Sequence, residues 1–267
     1  MNRIRALSRL DWVFSFAGLL LLLFILVPLV VTLLASSPAR VASGLADRGV
    51  LASLWVTFLA AFLATVIALV IGVPLAYLLA RRDFPGKNLV QGIIDLPIII
   101  PHTAAGVALL MVFGRRGLLG GPLQSLGLYF TENIAGIVVA MLFVSLPILV
   151  DTARESIALV DERLERVART LGAGPFSAFR RVTLPLAWRG IVGGSVLMWA
   201  RGISEFGAVV VLAYNPKAIS VLIYERFTGF GLSAALPLTA LLLVLALVIL
   251  VLTRTVLLPR RKRGGRG

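Results

Sequence analysis

The chain has 267 residues, of which 59% are hydrophobic and 14% charged, and its mean hydropathy is +1.01. Soluble domains carry about a quarter charged residues, so this composition excludes an ordinary soluble enzyme and implies an all-α, polytopic membrane protein. Cysteine is absent, which removes disulfides, thiolate metal sites and cysteine nucleophiles. The single histidine, His102, cannot build a multi-histidine metal centre.

A hydrocarbon core of roughly 30 Å takes about 20 apolar residues per helix, and six runs approach or exceed that length. The first, residues 13–34, follows Arg3, Arg5 and Arg9. It exceeds the roughly 7–15-residue apolar stretch of a signal peptide and reads as a retained span. The second, residues 54–80, stops at Arg81-Arg82-Asp83-Phe84-Pro85-Gly86-Lys87, and the third, residues 90–113, is broken by Pro97 and Pro101 and carries Asp95 and His102. The fourth, fifth and sixth cover residues 134–150, 191–214 and 232–258. Six spans place both termini on one side. If that side is the cytoplasm, the inner segments hold 18 Lys and Arg and the outer segments 6, the bias that cytoplasmic loops show. The net charge of +14 is then a product of topology in a plasma or inner membrane and gives no reason to invoke nucleic acid. Trp12 and Trp188 fall at the inner boundary and Trp55 and Tyr214 near the outer one. One membrane domain over residues 1–267, with a basic tail at 259–267, is the simplest organisation.

Residues 151–189 form the one loop long enough for structure of its own. Ile157, Val160, Leu164, Val167, Ala168 and Leu171 recur at three- and four-residue spacing among charged neighbours, which predicts an amphipathic helix. Gly172 and Gly174 end it, because glycine readily takes the left-handed conformation of a helix C-terminus. Pro175 suits the first turn of a second short helix, to about Val182, which Pro185 prevents from continuing. Such a pair either lies on the lipid surface or docks a soluble partner.

Ala168, Gly172 and, after nine intervening residues, Val182-Thr183-Leu184-Pro185 resemble the EAA loop of binding-protein-dependent ABC importer permeases. That pattern is Glu-Ala-Ala, three residues, Gly, nine residues, Ile, any residue, Leu-Pro. The spacing is kept, but Arg166-Val167 occupy the Glu-Ala positions, Glu165 lies one place early and Val182 replaces Ile. In the family the loop inserts a short coupling helix into a groove on the ATPase. The resemblance therefore implies an ATPase-coupling element at Ala168, Gly172, Gly174, Pro175, Phe176, Phe179, Arg180, Leu184 and Pro185. Two further stretches, Asp95 to Gly106 and Trp199 to Val210, look like the molybdate/tungstate permease branch, with sulfate permeases close by. What this implies is a type I importer permease fold of six transmembrane helices, a homodimer, a cytoplasmic ABC ATPase dimer and an external oxyanion-binding protein. A sulfate or thiosulfate importer is the alternative.

No nucleotide site is readable in the chain. A P-loop needs GxxxxGK[ST], whereas the one Gly-Lys, Gly86-Lys87, precedes Asn88, so ATP and magnesium are assigned to a partner ATPase and no cofactor or metal to this chain. HExxH and GxSxG are missing, and Gly202-Ile203-Ser204-Glu205-Phe206-Gly207 has the wrong spacing for a nucleophile elbow; no catalytic residue is expected. A secondary transporter or channel is the rival class, and it leaves the cytoplasmic helix pair without a role. Ionisable residues inside spans are functional candidates. Arg201 and Glu205, four apart on a predicted helix, either neutralise each other or, with Ser204 and His102, flank a permeation path or gate. His102 follows Pro101, where a broken helix frees backbone groups for a cavity or an interhelical contact. Gly190 and Gly194 form a small-xxx-small pair suited to helix packing.

Overall fold

A computed structural model describes residues 9–257; it is helical, with no strand among the described residues. The chain opens with α1 (Arg9–Ala35), apolar all round and with no buried residue. Ser37 caps α2 (Pro38–Ala46), and Asp47 caps α3 (Arg48–Arg81) by accepting from the Gly49 N–H at 2.8 Å. Along α3, Ala60, Ala64, Ala68 and Ala76 are fully buried, a stripe of small residues that allows close approach of another helix.

The third apolar run is not one straight crossing. It forms α4 (Lys87–Ile99) and α5 (His102–Phe113), bent by 114°. Pro101 forces its predecessor away from helical geometry, and Ile100 is accordingly extended, with φ −75° and ψ 144°. The short α6 (Gly120–Ser125) leads to α7 (Ile134–Ala158), which outruns the predicted 134–150.

The expected cytoplasmic helix is split. α7 carries Ile157; the chain turns at residues 159–161, and Asp161 caps α8 (Glu162–Thr170) by accepting from the Arg163 N–H at 2.9 Å. Gly172 then takes φ +91°, as a left-handed helix terminus requires. The second short helix does not stop at Pro185. α9 (Pro175–Ala178) passes through a π-helical turn at Phe179–Thr183 into α10 (Leu184–Ile203), making a 29-residue rod, Pro175–Ile203. The wider turn, in which the Leu184 N–H reaches the Phe179 carbonyl, lets the chain take in a proline that lacks its own N–H.

At its far end α10 finishes at Ile203, short of the predicted 214, and residues 204–206 separate it from α11 (Gly207–Leu212). α12 (Ile219–Phe230), which the hydropathy pattern does not reveal, precedes α13 (Leu232–Leu257). By length and composition five helical stretches among the described residues are fit to cross a bilayer, and the bent α4–α5 pair makes a sixth. The basic tail at 259–267 lies outside the described residues, as do Arg3 and Arg5.

α7 is the central element, packed by α3 on one side and α10 on another, with α4, α5 and α11 completing its surround. The α7–α10 seam depends on glycine. A Cβ added to Gly194 would lie 2.8 Å from Thr152 Cβ, and one on Gly190 would fall on the Ser156 side chain, whereas Gly193 faces open space. We therefore expect Gly190→Ala to destabilise the purified chain by about 1–3 kcal/mol of overpacking and so to lower its thermal unfolding temperature. Gly193→Ala, which gains helix propensity at no steric cost, should not lower it; equal effects in the two would overturn this account of the seam.

Candidate functional site

Two interruptions in the helical backbone lie side by side. One separates α4 from α5 at Ile100–Pro101, the other α10 from α11 at residues 204–206. Their proximity rests on the absence of side chains: a Cβ on Gly207 would lie 2.7 Å from His102 Cβ, and one on Gly106 2.8 Å from Val211 Cβ. α5 and α11 thus pack with their backbones nearly touching.

Glu205 occupies this junction with no exposed surface. Its Oε1 accepts from the Ala208 N–H at 2.9 Å, at the start of α11, and its backbone carbonyl accepts from Ser220 Oγ of α12 at 2.7 Å. Oε2 lies 3.1 Å from Arg201 Nη1 and 2.9 Å from His102 Nδ1. Neither contact has hydrogen-bond alignment, since Oε2 makes no hydrogen bond, and the Arg201 contact is an ion pair. Arg201 Nη2 is also 3.0 Å from each ring nitrogen of His102. The carboxylate of Glu205 therefore joins α5, α10 and α11, and the residue's backbone carbonyl adds α12. Burying the carboxylate alone would be prohibitive; a cation in contact makes it tenable. The basic partners reach outward, with side-chain exposures of 28% for Arg201 and 37% for His102, so the cluster presents guanidinium and imidazole edges while hiding its negative charge. Ser204, exposed beside them, donates to the Arg201 carbonyl at 2.9 Å and accepts from Arg201 Nη1 at 3.4 Å. The sequence expectation of Arg201 and Glu205 on one helical face needs correction, because Glu205 lies beyond the helix end; the pair forms across the break.

A second polar cluster ties the other end of α10 to the loop helix. Glu165 Oε1 receives hydrogen bonds from Arg81 Nε at 2.9 Å and Thr183 Oγ1 at 2.6 Å, and Oε2 one from Tyr77 Oη at 2.8 Å. Burial pushes the Glu165 carboxyl upward, but the hydrogen bonds from Thr183, Tyr77 and Arg81 and the Arg81 charge outweigh it and hold it below the usual glutamate range. Arg81 is fixed further by donating from Nη2 to the Val160 carbonyl at 2.7 Å. The residue one place early in the sequence pattern thus holds α8 against α3 and the π turn, through partners 84 and 88 positions away in the chain that spacing could not disclose.

This clasp uses the charged face of α8 and turns its apolar face outward. Leu164 and Val167 are exposed, and Leu171 and Phe176 are 83% and 73% exposed. Of the remaining loop residues, Gly172, Gly174, Pro175, Arg180 and Pro185 lie at the surface, while Ala168 and Leu184 are half-buried. Phe179 points inward, edge-on to Tyr77 with ring centroids 4.9 Å apart. Asp95, in α4, is half-buried and has one carboxylate oxygen without a hydrogen-bond partner.

The family described as binding-protein-dependent transport system inner membrane component matches residues 72–263. The chain is 41% identical over 245 residues to the molybdate/tungstate transport system permease protein WtpB of Thermococcus kodakarensis, covering 91% of this chain and 94% of that one. It is 33% identical over 216 residues to the probable sulfate transport system permease protein cysT of Zygnema circumcarinatum, covering 79% and 75%. Among solved structures, a bacterial alginate ABC transporter in complex with an alginate pentasaccharide-bound periplasmic protein superposes with a TM-score of 0.73 at 17% identity, over 92% of this chain and 93% of that one. That likeness extends to the fold.

For the junction, we expect Glu205→Ala to destabilise the chain by about 3–5 kcal/mol, the cost of breaking a buried charge pair from one side. Glu205→Gln, which keeps an acceptor for the Ala208 N–H, should cost less. Thermal unfolding of the two purified variants checks this, and wild-type melting of Glu205→Ala would show that the carboxylate does not hold α5, α10 and α11 together.

Proposed function

The chain belongs to the binding-protein-dependent transport system inner membrane components, and we propose that it is the permease subunit of an ATP-driven importer of molybdate and tungstate. It works as a homodimer with two cytoplasmic ATPases, which bind ATP and magnesium, and an external protein that delivers the oxyanion. Both termini lie in the cytoplasm of a plasma or inner membrane. The observation that carries the reading is the inverted α8: a charged helix held to the bundle through Glu165 that offers Leu164, Val167, Leu171 and Phe176 to solvent is built to be covered by another protein. A secondary transporter has no use for such a face. Molybdate and tungstate are preferred to sulfate because the relative named for them is more similar and matches more of the chain.

Ala168, Gly172, Gly174, Pro175, Phe176, Phe179, Arg180, Leu184 and Pro185 form the coupling element in this reading. Closure of the ATPases displaces it, and the continuous rod Pro175–Ile203 carries that displacement to Arg201. His102, Arg201, Ser204 and Glu205 act as the gate: with Glu205 neutralising Arg201 the junction is closed, and separating α5 and α11 from α10 opens a path whose cationic edges favour an oxyanion. Coupling of this kind requires one two-state element biased from both ends.

The test is uptake of labelled tungstate into proteoliposomes containing the chain with its ATPase and binding protein. We expect ATP-dependent uptake that excess molybdate suppresses and excess sulfate does not. The Leu164→Asp/Val167→Asp double variant should lose both uptake and co-purification of the ATPase while the chain remains inserted. Suppression by sulfate would assign the sulfate branch, and uptake driven without ATP would reject the ATP-driven reading.

A further inference from the structure

A basic pocket lies on the side of α8 opposite its exposed apolar residues. It encloses about 200 Å³ between the end of α3, α8 and α9, well above the roughly 10–15 Å³ that a single water needs. Arg81, Arg82, Glu162, Glu165, Arg166 and Arg169 contribute to its walls. Arg81 is paired with Glu165 at 2.9 Å and Arg166 with Glu162 at 3.5 Å, so those four charges cancel. Arg82 and Arg169 make no ion pair among the described residues. Two uncompensated guanidinium groups remain in one concavity. The floor is rigid: the Arg81 side chain is 6% exposed and held by Glu165 and the Val160 carbonyl. Guanidinium groups match the paired oxygens of tetrahedral oxyanions and are the preferred side chains for binding them.

We propose that this pocket binds a tetrahedral oxyanion, either the phosphate of an anionic lipid headgroup or a free anion of the phosphate or molybdate type. Its cytoplasmic placement rests on the permease reading; its charge and shape do not. At 3.6 residues per turn, the pocket residues 162, 165, 166 and 169 and the exposed apolar residues 164, 167 and 171 project from α8 about 180° apart. An anion bridging Arg82, just past the end of α3, to Arg169 on α8 therefore sets the angle of the docking helix from the side opposite its exposed apolar residues, beside Pro175 of α9. Occupancy makes coupling responsive to anion or lipid on the inner side.

The experiment uses the full chain in nanodiscs and compares wild type with Arg82→Ala/Arg169→Ala. Both residues are exposed, and Arg82→Gln alone serves as a milder second variant. In nanodiscs of phosphatidylcholine only, labelled phosphate and labelled molybdate are titrated; in a second arm, retention of phosphatidylglycerol is followed by native mass spectrometry. We expect the double variant to bind about a hundredfold more weakly, two charge-assisted hydrogen bonds having been lost. Loss confined to the first arm identifies a free anion, and loss confined to the second identifies a lipid headgroup. Equal binding by wild type and variants in both arms overturns the proposal. The docking variant Leu164→Asp/Val167→Asp should keep full anion binding, so a failure of ATPase docking and a failure of this site give different results.

Discussion

Hydrocarbon offers no water to an unpaired peptide group, and a chain that crosses it must either stay helical or shelter each interruption inside protein. This molecule breaks one span at Ile100–Pro101, ends another at Ile203, and shelters the two interruptions against each other. Glycine at 106 and 207 brings the broken segments into contact, and Glu205 supplies the acceptor for the N–H that begins α11 and the charge that holds Arg201. Each break alone would leave polar backbone without partners. Together they form a junction whose parts belong to four helices, which is why a rearrangement there involves the whole bundle.

The opposite end is organised by a different requirement. A loop helix with alternating Glu and Arg residues could have lain free, its charges hydrated and its apolar stripe buried on α7. Instead Glu165 is drawn to Arg81, Tyr77 and Thr183, and the stripe is left outside. Exposed ion pairs contribute little, but this one is part-enclosed and reinforced by two hydroxyl donors. The orientation of α8 is therefore set by its polar face. Because α9, the π turn and α10 are continuous over 29 residues, the two polar clusters are joined by one element from Thr183 to Arg201, roughly 27 Å at 1.5 Å per residue.

The spans were legible because apolar length is a strong signal, and the loop motif because Gly172, Leu184 and Pro185 keep their spacing. Pro101 announced the first break. Nothing comparable marks the second: residues 204–206 contain no proline, and the helix ends there because Glu205 finds partners in α5 and α12, contacts separated by up to 103 positions that no local pattern encodes. Pro185 misled in the opposite direction, since a wide turn ahead of it lets the helix run on. α12 escaped notice because Glu225 and Arg226 dilute its hydropathy. Its Ile219 and Leu222 nevertheless have the spacing of a buried helical face, and they pack with Val50 and Leu54 of α3.

A turn closed by an i→i+5 bond holds one residue more than one closed by i→i+4. The π turn at Phe179–Thr183 is thus a single surplus residue in an otherwise ordinary helix, and each residue rotates a helix by about 100°. A one-residue deletion here would restore regular winding and hardly shorten the rod. It would also leave the direction of Arg201 relative to Phe176 almost unchanged, because a wide turn closed by an i→i+5 bond covers about the same rotation as an α turn closed by i→i+4 while holding one residue more. A residue removed from the regular winding of α10 would instead swing Arg201 by about 100°, so the wide turn is where the rod absorbs a change of length without redirecting the junction.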